Sequence, residues 1–229
     1  MMAFVEEIGR ELNRVLIVDD FLDEPQTMIS QAMAMAPFKP EEGGYYPGLR
    51  RAIGLEDGDA GLHLRQSLQT LAPLMGQVFG VRAFNLLRAG FCLVTRRPDE
   101  LDPWQRLPHI DQADPGHFAL LHFLSPTPQG GTNFFRHRRT GFERVSPERE
   151  PIYATARKAE MMANGSPPVA YFNDSDQDFE RIARFEGAYN RLLVYRGSLL
   201  HSGYIPEGFA FSPDPALGRL TCNIFIRAQ

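Results

Sequence analysis

The feature that most constrains the fold is a change in hydrophobic period near residue 83. Before it, apolar residues recur at helical spacing. After it, about eight short apolar runs are separated by turns rich in glycine and proline. Such runs are typical of strands, and several in succession favour a barrel or a sandwich. The sequence therefore predicts a single domain over 1–229, with a mainly β core at 83–229 that an N-terminal strand and helices at 1–82 support.

The N-terminal part is predicted to contain one strand and two helical regions. Arg14 to Asp19 is a short β-branched run, as expected of a buried strand. A helix should follow Asp23, whose spacing from Gln26 is that of a capping box, and its methionine stripe is interpreted as core. Asp59 is the predicted cap of the second region, in which Pro73 opens a second segment.

The loop at 37–47 leads into a turn with aromatic and basic residues. Gly43-Gly44 is its predicted flexible point. The segment that follows is either a packed surface turn or a lid that contacts a substrate. The residues that could line an entrance, and that favour an aromatic or anionic target, are Tyr45, Tyr46, Arg50, Trp104 and the basic cluster 136–139.

Two segments of the core region are predicted to depart from the strand pattern. Residues 145–168 are charged and bounded by proline, which indicates an insertion with a short helix near Ala154 to Met162. Ser175 is predicted to cap a further helix that ends at Gly187.

Composition and charge exclude several classes of protein. The 229 residues carry a formal net charge of -4, so the chain lacks the basic field that attracts nucleic acid. Acidic residues at positions 6 and 7 argue against a signal peptide, and no apolar run reaches membrane-spanning length. Cys92 and Cys222 each lie in an apolar run, which favours buried thiols. We therefore expect a cytoplasmic protein without nucleic-acid or membrane partners.

His109 and Asp111 form the first candidate chemical motif. Side chains two residues apart on an extended backbone point the same way. One imidazole and one carboxylate are two of the three ligands in a 2-His-1-carboxylate iron site. The motif alone is weak, because His-x-Asp also arises by chance. His201, at the end of a later apolar strand, is the predicted third ligand because it can return on a neighbouring strand.

The last predicted strand, 219–227, has one apolar and one polar face. Arg219, Thr221 and Asn223 lie on the polar face. A guanidinium matches a carboxylate through two parallel hydrogen bonds. By pattern alone, a carboxylate-binding site and an ordinary solvent-facing strand fit equally well.

The other histidines are weaker candidates for metal binding. His117 and His122 lie at odd and even positions of one predicted strand, so at most one of them points inward. His137 and the basic cluster 136–139 are interpreted as solvated, with an anion or substrate contact as the alternative for the cluster.

These residues resemble the iron(II)/2-oxoglutarate-dependent oxygenase superfamily, on its prolyl-hydroxylase-like side. The resemblance lies in the opening strand 15–22, Pro108-His109-Ile110-Asp111, the turn at 130–134, the segment 190–201 and Arg219-Leu220-Thr221. It implies a double-stranded β-helix (jelly-roll or cupin-like) core in which His109, Asp111 and His201 bind Fe(II). Arg219, helped by Thr221, is implied to bind the distal carboxylate of the co-substrate 2-oxoglutarate.

The implied activity is a dioxygenase that hydroxylates a protein side chain, an amino acid or a small molecule, with ascorbate as a supporting reductant. Thr95 stands where the superfamily often has a tyrosine that contacts 2-oxoglutarate, so that contact is unassigned. Two alternatives stay open: a cupin-like metal enzyme that does not use 2-oxoglutarate, and a non-catalytic binding or sensing domain. The sequence does not set the oligomeric state, for which a homodimer is one arrangement.

Overall fold

The computed structural model describes residues 1–41 and 45–229, and the predicted flexible point at Gly43-Gly44 lies outside them. The helices are α1 (Pro25–Ala34), α2 (Gly58–Phe79) and α3 (Glu150–Asn164). The strands are β1 (Met2–Ile8), β2 (Asn13–Asp19), β3 (Lys39–Pro40), β4 (Gly48–Ile53), β5 (Phe84–Val94), β6 (His117–Phe123), β7 (Gly131–His137), β8 (Phe179–Glu186), β9 (Leu192–Arg196), β10 (His201–Tyr204) and β11 (Leu220–Ala228).

The strands form two antiparallel sheets. The larger sheet has the strand order β1-β2-β9-β6-β11-β5-β4-β3, and the smaller has the order β10-β7-β8. Side chains of both sheets share one buried cluster, which includes Ile17 and Phe225 from the larger sheet and Phe134 and Phe185 from the smaller. The two sheets therefore face each other, as in the mainly β fold that the sequence predicts.

Helices α1 and α2 cover the opposite face of the larger sheet. Alternate residues of β11, such as Cys222 and Ile224, pack into a second cluster with Leu64 and Leu71 of α2 and Met28 of α1. This alternation follows from the period of two along a strand. The larger sheet is therefore apolar on its helix side, while its other side is free to carry polar groups into the space between the sheets.

The N-terminal elements confirm part of the sequence analysis and correct part of it. The predicted strand at Arg14 to Asp19 is β2, and the helix-ending Gly80 has the left-handed φ of 71° that favours glycine. The predicted caps are wrong, because the residues at the cap positions are Glu24 and Asp57. Pro73 does not open a second segment, since α2 runs through it as one helix.

Two strands differ from their predicted form. Residues 83–95 are predicted as two strands broken at 88–90, but β5 continues through that segment because β11 pairs with it on one side and β4 on the other. The segment after Ser175 is predicted as a helix, but it is β8. It pairs with β7, with Asn133 opposite Arg184, so a partner distant in sequence overrides its helical period.

The basic cluster 136–139 is solvated only in its second half, since Arg138 and Arg139 are exposed whereas the first two residues are buried. Arg136 is buried and bonds to Glu143. His137 is fully buried, and its ring nitrogens bond to Thr140 and to Glu160 of α3. The interpretation of these two residues as solvated is therefore wrong, and the cluster attaches α3 to the smaller sheet.

The Glu143 carboxylate joins the β1–β2 turn to β7. It accepts hydrogen bonds from Arg136 Nη2 at 2.6 Å, from Asn13 Nδ2 at 2.8 Å, and from the backbone amides of Arg10 at 2.8 Å and Glu11 at 3.0 Å. The side chain is completely buried. A buried carboxylate with this many donors is stabilising only while its partners are present.

We expect Glu143→Gln to lower the free energy of unfolding by roughly 3–5 kcal/mol, because it leaves the buried Arg136 guanidinium short of charge compensation. Urea unfolding followed by circular dichroism measures this loss. Glu148→Gln, at an exposed position nearby, is the control and should stay close to the unsubstituted chain. A loss below about 1 kcal/mol for Glu143→Gln would contradict the role of this carboxylate.

Both cysteines are buried free thiols, as the sequence predicts. Among the described residues, no helix combines the length and the apolar character that a membrane crossing requires.

Candidate metal centre

His109 and His201 are held side by side by their own backbones. The amide of each donates to the carbonyl of the other, with both N–O distances at 2.9 Å. This isolated antiparallel bridge brings the two ring centroids to 4.4 Å. His201 is the first residue of β10, whereas the sequence places it at the end of a strand. The bridge fixes where the two imidazoles lie.

Asp111 is anchored to the larger sheet by the turn after β9. Its backbone amide donates to the Gly197 carbonyl at 2.7 Å. A Cβ atom on Gly197 would lie 2.2 Å from His117 Nδ1 and 3.2 Å from Asp111 Cβ. A glycine at this position therefore permits the close approach of the Asp111 and His117 side chains.

The three predicted ligands lie together. One ligand atom from each of His109, Asp111 and His201 falls within 4.8 Å of the others. Within this group, His201 Nε2 lies 3.7 Å from Asp111 Oδ2. Two imidazoles and one carboxylate are the donor set of a non-haem Fe(II) site.

The hydrogen bonds leave acceptor atoms facing the centre of this group. His201 Nδ1 lies 2.8 Å from the Leu199 carbonyl. A carbonyl can only accept, so Nδ1 carries the proton and Nε2 keeps a free lone pair. Asp111 Oδ2 is buried without a hydrogen-bond partner among the described residues. Two acceptor atoms placed 3.7 Å apart in this way fit a site for a cation.

Burial keeps the His201 imidazole neutral at ordinary pH, and the pKa of His109 is lowered as well. Burial lowers the pKa of His201 to about 4, against the opposing effect of the hydrogen bond that its Nδ1–H donates to the Leu199 carbonyl. The His109 ring opens into a cavity, but the surrounding protein limits its hydration and, with the neighbouring His201, lowers its pKa to about 4. Burial also raises the pKa of Asp111. Neutral imidazoles are the form that binds metal ions.

A cavity of about 480 Å³ opens over the three residues. Its walls combine aromatic, apolar and polar side chains, as is usual for sites that bind small molecules. Tyr45, Tyr46, Arg50 and Trp104, which the sequence suggests for an entrance, all line it. The basic cluster 136–139 is absent from its walls.

Arg219 lies in the cavity wall and is 4% exposed. Its Nη2 donates to the Gly131 carbonyl at 2.9 Å, and its guanidinium lies 5.3 Å from the Phe123 ring centroid. Its Nε has no hydrogen-bond partner, and no carboxylate within the described ranges forms an ion pair with it. Burying an uncompensated charge is costly, so this guanidinium is suited to an anion from outside the protein.

Ser125 fixes the backbone on either side of Arg219. Its hydroxyl donates to the Gly218 carbonyl at 3.0 Å and accepts from the Leu220 amide at 2.9 Å. The long connection after β10 therefore ends at a defined point, and Arg219 enters the cavity from there.

Two tyrosines share the surroundings of Arg219. The buried Tyr46 hydroxyl has no hydrogen-bond partner in the part of the chain that the structure describes. Burial raises the pKa of Tyr46 and of Tyr171 far above the usual range, while the Arg219 charge acts in the opposite direction on both. Both hydroxyls therefore stay protonated. The Tyr171 hydroxyl donates to the Arg96 carbonyl at 2.7 Å, so the Tyr46 hydroxyl is the one that can donate to an anion beside Arg219.

Thr221 is placed differently from Arg219. Its hydroxyl donates to Asn223 Oδ1 at 2.7 Å, and Asn223 rather than Thr221 lines the cavity. The role of Thr221 in holding a co-substrate stays a prediction, and the structure connects it to the cavity through Asn223.

The remaining histidines of β6 are both buried. His117 lies against Asp111 and the turn after β9. His122 faces the helix side, where Nε2 bonds to Asn190 Oδ1 at 3.0 Å and the ring meets Phe21 edge-on. His122 is therefore a core histidine.

Protonation of His122 should destabilise the fold in mild acid. Burial lowers its pKa to about 4, whereas an unfolded histidine has a pKa of about 6.5. Between these values the unfolded state binds the extra proton, so stability falls as pH falls, by about 1.4 kcal/mol per pH unit for one proton. We expect His122→Asn to reduce the pH dependence of the free energy of unfolding by the equivalent of about one proton.

Urea unfolding at several pH values measures this dependence, and His63→Asn on α2 is the control. Parallel stability curves for His122→Asn and the unsubstituted chain would contradict the prediction.

A family model described as a family of unknown function (DUF6445) matches residues 1–226. The chain belongs to this family. The match includes both predicted ligand segments and Arg219, so the site described above lies within the extent of the family. No curated protein matches the chain.

Solved structures with a similar fold cover nearly all of this DUF6445 chain. HygX from Streptomyces hygroscopicus, with nickel, 2-oxoglutarate and hygromycin B bound, is 13% identical over 96% of this chain and 84% of that chain, with a TM-score of 0.53. SnoN, a non-heme alpha ketoglutarate dependent epimerase from nogalamycin biosynthesis, is 13% identical over 93% and 77%, with a TM-score of 0.52. A Pseudomonas putida prolyl-4-hydroxylase is 11% identical over 94% and 92%, with a TM-score of 0.51.

At these identities the likeness establishes the fold. The fold that the resemblance to the iron(II)/2-oxoglutarate-dependent oxygenase superfamily implies is supported, and the two facing sheets are consistent with a double-stranded β-helix. The fold leaves the reaction and the substrate open, because its members include an epimerase and a hydroxylase.

Sequence analysis of this DUF6445 chain missed some of the polar groups in the cavity. Tyr171 follows Pro167 and Pro168 in a loop between α3 and β8. Tyr195 lies on β9 among apolar residues, and its ring packs against His201 at a centroid distance of 5.0 Å. A tyrosine in an apolar run gives no local signal for a site, since its ring satisfies the strand pattern.

Proposed function

We propose that this chain is an iron(II)- and 2-oxoglutarate-dependent oxygenase that hydroxylates its substrate. His109, Asp111 and His201 would hold the metal. Arg219 would bind the distal carboxylate of 2-oxoglutarate, with Tyr46 and Tyr171 beside it and Thr221 acting through Asn223. When bound, iron and 2-oxoglutarate supply the oxidising power for transfer of an oxygen atom from O₂ to the substrate.

The single observation that carries this proposal is the buried Arg219 in the same cavity as the three candidate ligands. A metal site alone would suit many enzymes. A guanidinium without a carboxylate partner in the described ranges, set beside the protonated Tyr46 hydroxyl, calls for a small anion as well. A dicarboxylate with a metal-chelating keto-acid end could bind the metal at one end of the cavity and Arg219 at the other.

The protein residues contribute orientation and protection from water. The His201–Leu199 hydrogen bond fixes the tautomer of one imidazole, and the bridge between His109 and His201 fixes the relative position of both. The apolar side chains Leu121, Phe172 and Ile205 line the cavity and limit its hydration.

Two other functions are less well supported. A cupin-like enzyme that does not use 2-oxoglutarate would have no use for the anion site at Arg219. A non-catalytic domain would have no reason to keep neutral imidazoles and an unpartnered carboxylate oxygen facing one another. The substrate class, whether small molecule, amino acid or peptide, is taken up below.

Anaerobic addition of Fe(II) and then 2-oxoglutarate tests the proposal without knowledge of the substrate. We expect a visible charge-transfer band from the keto-acid chelate. Succinate has both carboxylates but no keto group, so it is the matched control and should give no band. Iron binding without a band at saturating 2-oxoglutarate would support the cupin-like alternative, and the absence of iron binding would overturn both enzyme proposals.

A further inference from the structure

The mouth of the cavity carries two arginines that the proposed co-substrate does not use. Arg50 lies on β4 and Arg88 on β5, and both line the cavity with His109 and Asp111. Both charges also act to lower the pKa of Asp111, although burial has the larger, opposite effect. The two guanidinium groups therefore lie within electrostatic reach of the candidate metal centre.

One carboxylate of the protein bridges these arginines. Glu41 Oε2 lies 2.7 Å from Arg50 Nη1, and Glu41 Oε1 lies 3.7 Å from Arg88 Nη1. Among the described residues, these two cations face one anion, which gives the group a net positive charge. The contact to Arg88 is longer than a hydrogen bond, and the Arg88 side chain is 52% exposed. Within residues 1–41 and 45–229, Arg88 is therefore incompletely paired.

Aromatic rings surround the two guanidinium groups. Arg88 lies over the Phe225 ring at 4.3 Å, and Arg50 lies 5.8 Å from the Tyr46 ring centroid. Trp104 lines the same cavity and is 56% exposed. Tyr46 interacts with both Arg50 and Arg219, so it lies between the mouth and the deeper anion site. The cavity therefore has two cationic positions, at Arg219 and at the Arg50–Arg88 pair.

We propose that Arg50 and Arg88 bind a carboxylate of the primary substrate, and that Glu41 occupies this position when no substrate is bound. The inference rests on the proposed function, which assigns Arg219 to 2-oxoglutarate and leaves the mouth for the substrate. A planar carboxylate already fits between the two guanidinium groups, and the neighbouring rings would accommodate an apolar or aromatic body. The substrate is thus an organic acid or an acidic side chain.

Fluorescence of Trp104 reports on this site, because it is the only tryptophan in the chain. The protein is loaded with Ni(II) and saturating 2-oxoglutarate, which occupies Arg219, and is titrated with benzoate or with neutral benzamide. We expect benzoate to bind at least about tenfold more tightly than benzamide, because charge-assisted hydrogen bonds are lost with the amide. A blocked peptide with one aspartate, measured alongside, distinguishes an acidic side chain from a free acid as the source of the carboxylate.

Three variants make the assignment specific. The double substitution Arg50→Gln with Arg88→Gln should weaken benzoate binding at least about tenfold, while Glu41→Gln should strengthen it by removal of the internal competitor. Arg51→Gln is the matched control, since Arg51 is the exposed neighbour on β4 and does not line the cavity. Equal binding of benzoate and benzamide, or unchanged benzoate binding in the double variant, would overturn the proposal.

A further titration distinguishes failure of the proposed oxygenase function from failure of the substrate site at Arg50 and Arg88. If Fe(II) and 2-oxoglutarate give no chelate band, the titration is repeated on metal-free Arg219→Leu protein, in which the deeper cation is absent. Benzoate binding that still depends on Arg50 and Arg88 would then retain the mouth site and discard the oxygenase. Loss of that dependence would discard the mouth site as well.

Discussion

Replacement of His201 by alanine is expected to reduce metal-dependent turnover of 2-oxoglutarate to succinate by at least about 100-fold. Loss of an outer contact to a metal ligand typically costs 10–100-fold, and loss of the ligand itself should cost more. His201 lies in the bridge with His109 and opposite Asp111, so no other described imidazole is placed to replace it. Succinate formation with Fe(II) and ascorbate measures the effect.

The control for this substitution is His63→Ala on α2, which should keep full turnover. Circular dichroism must show that His201→Ala is folded, since its ring also packs against Phe134 and Tyr195. Direct titration with Fe(II) separates loss of metal from loss of fold. Undiminished turnover in folded His201→Ala protein would remove this residue from the ligand set.

Replacement of Arg219 by leucine should weaken 2-oxoglutarate binding by 2–5 kcal/mol, or roughly 30- to 5,000-fold, and leave Fe(II) affinity nearly unchanged. The same substitution should raise the thermal stability of the ligand-free protein. A buried guanidinium without a carboxylate partner in the described ranges is costly, and an apolar side chain of similar size removes that cost. Opposite effects on stability and on co-substrate binding distinguish a functional arginine from a structural one.

Arg219→Lys is the informative companion, because it keeps the charge but loses the planar pair of donors. We expect it to recover only part of the 2-oxoglutarate affinity. Isothermal titration in the presence of Ni(II) gives the affinities, and differential scanning calorimetry gives the stabilities. A large drop in melting temperature with unchanged 2-oxoglutarate affinity would assign Arg219 to the fold instead of the site.

Local sequence patterns predicted the structure correctly for elements that bury one apolar face. The run ending at Asp19 forms β2, and the alternation in β11 sends Cys222 toward the helices and Asn223 toward the cavity. The grouping of His109, Asp111 and His201 was also predicted. The first two lie two residues apart on extended backbone and so point the same way, and the third returns on a neighbouring strand.

The sequence did not predict structure that depends on partners distant along the chain. Apolar residues in 179–186 fit both a helical period and a strand, and only the hydrogen bonds to β7 select the strand. The basic run at 136–139 looks solvated because its acidic partners, Glu143 and Glu160, follow at spacings with no fixed meaning. Tyr46 and Tyr171 lie close enough to Arg219 to act on its pKa, although they come from separate segments that no local pattern relates to it.

The attachment of the candidate ligands has a consequence for the whole molecule. His201 begins a strand of the smaller sheet and carries His109 with it, whereas Asp111 is fastened to the turn that follows β9 of the larger sheet. An ion held by all three would act as a cross-link between the two layers. By mass action, metal at about 1,000 times its dissociation constant adds about 4 kcal/mol to the free energy of unfolding. Metal supply would then govern how long the folded chain survives as well as whether it can react.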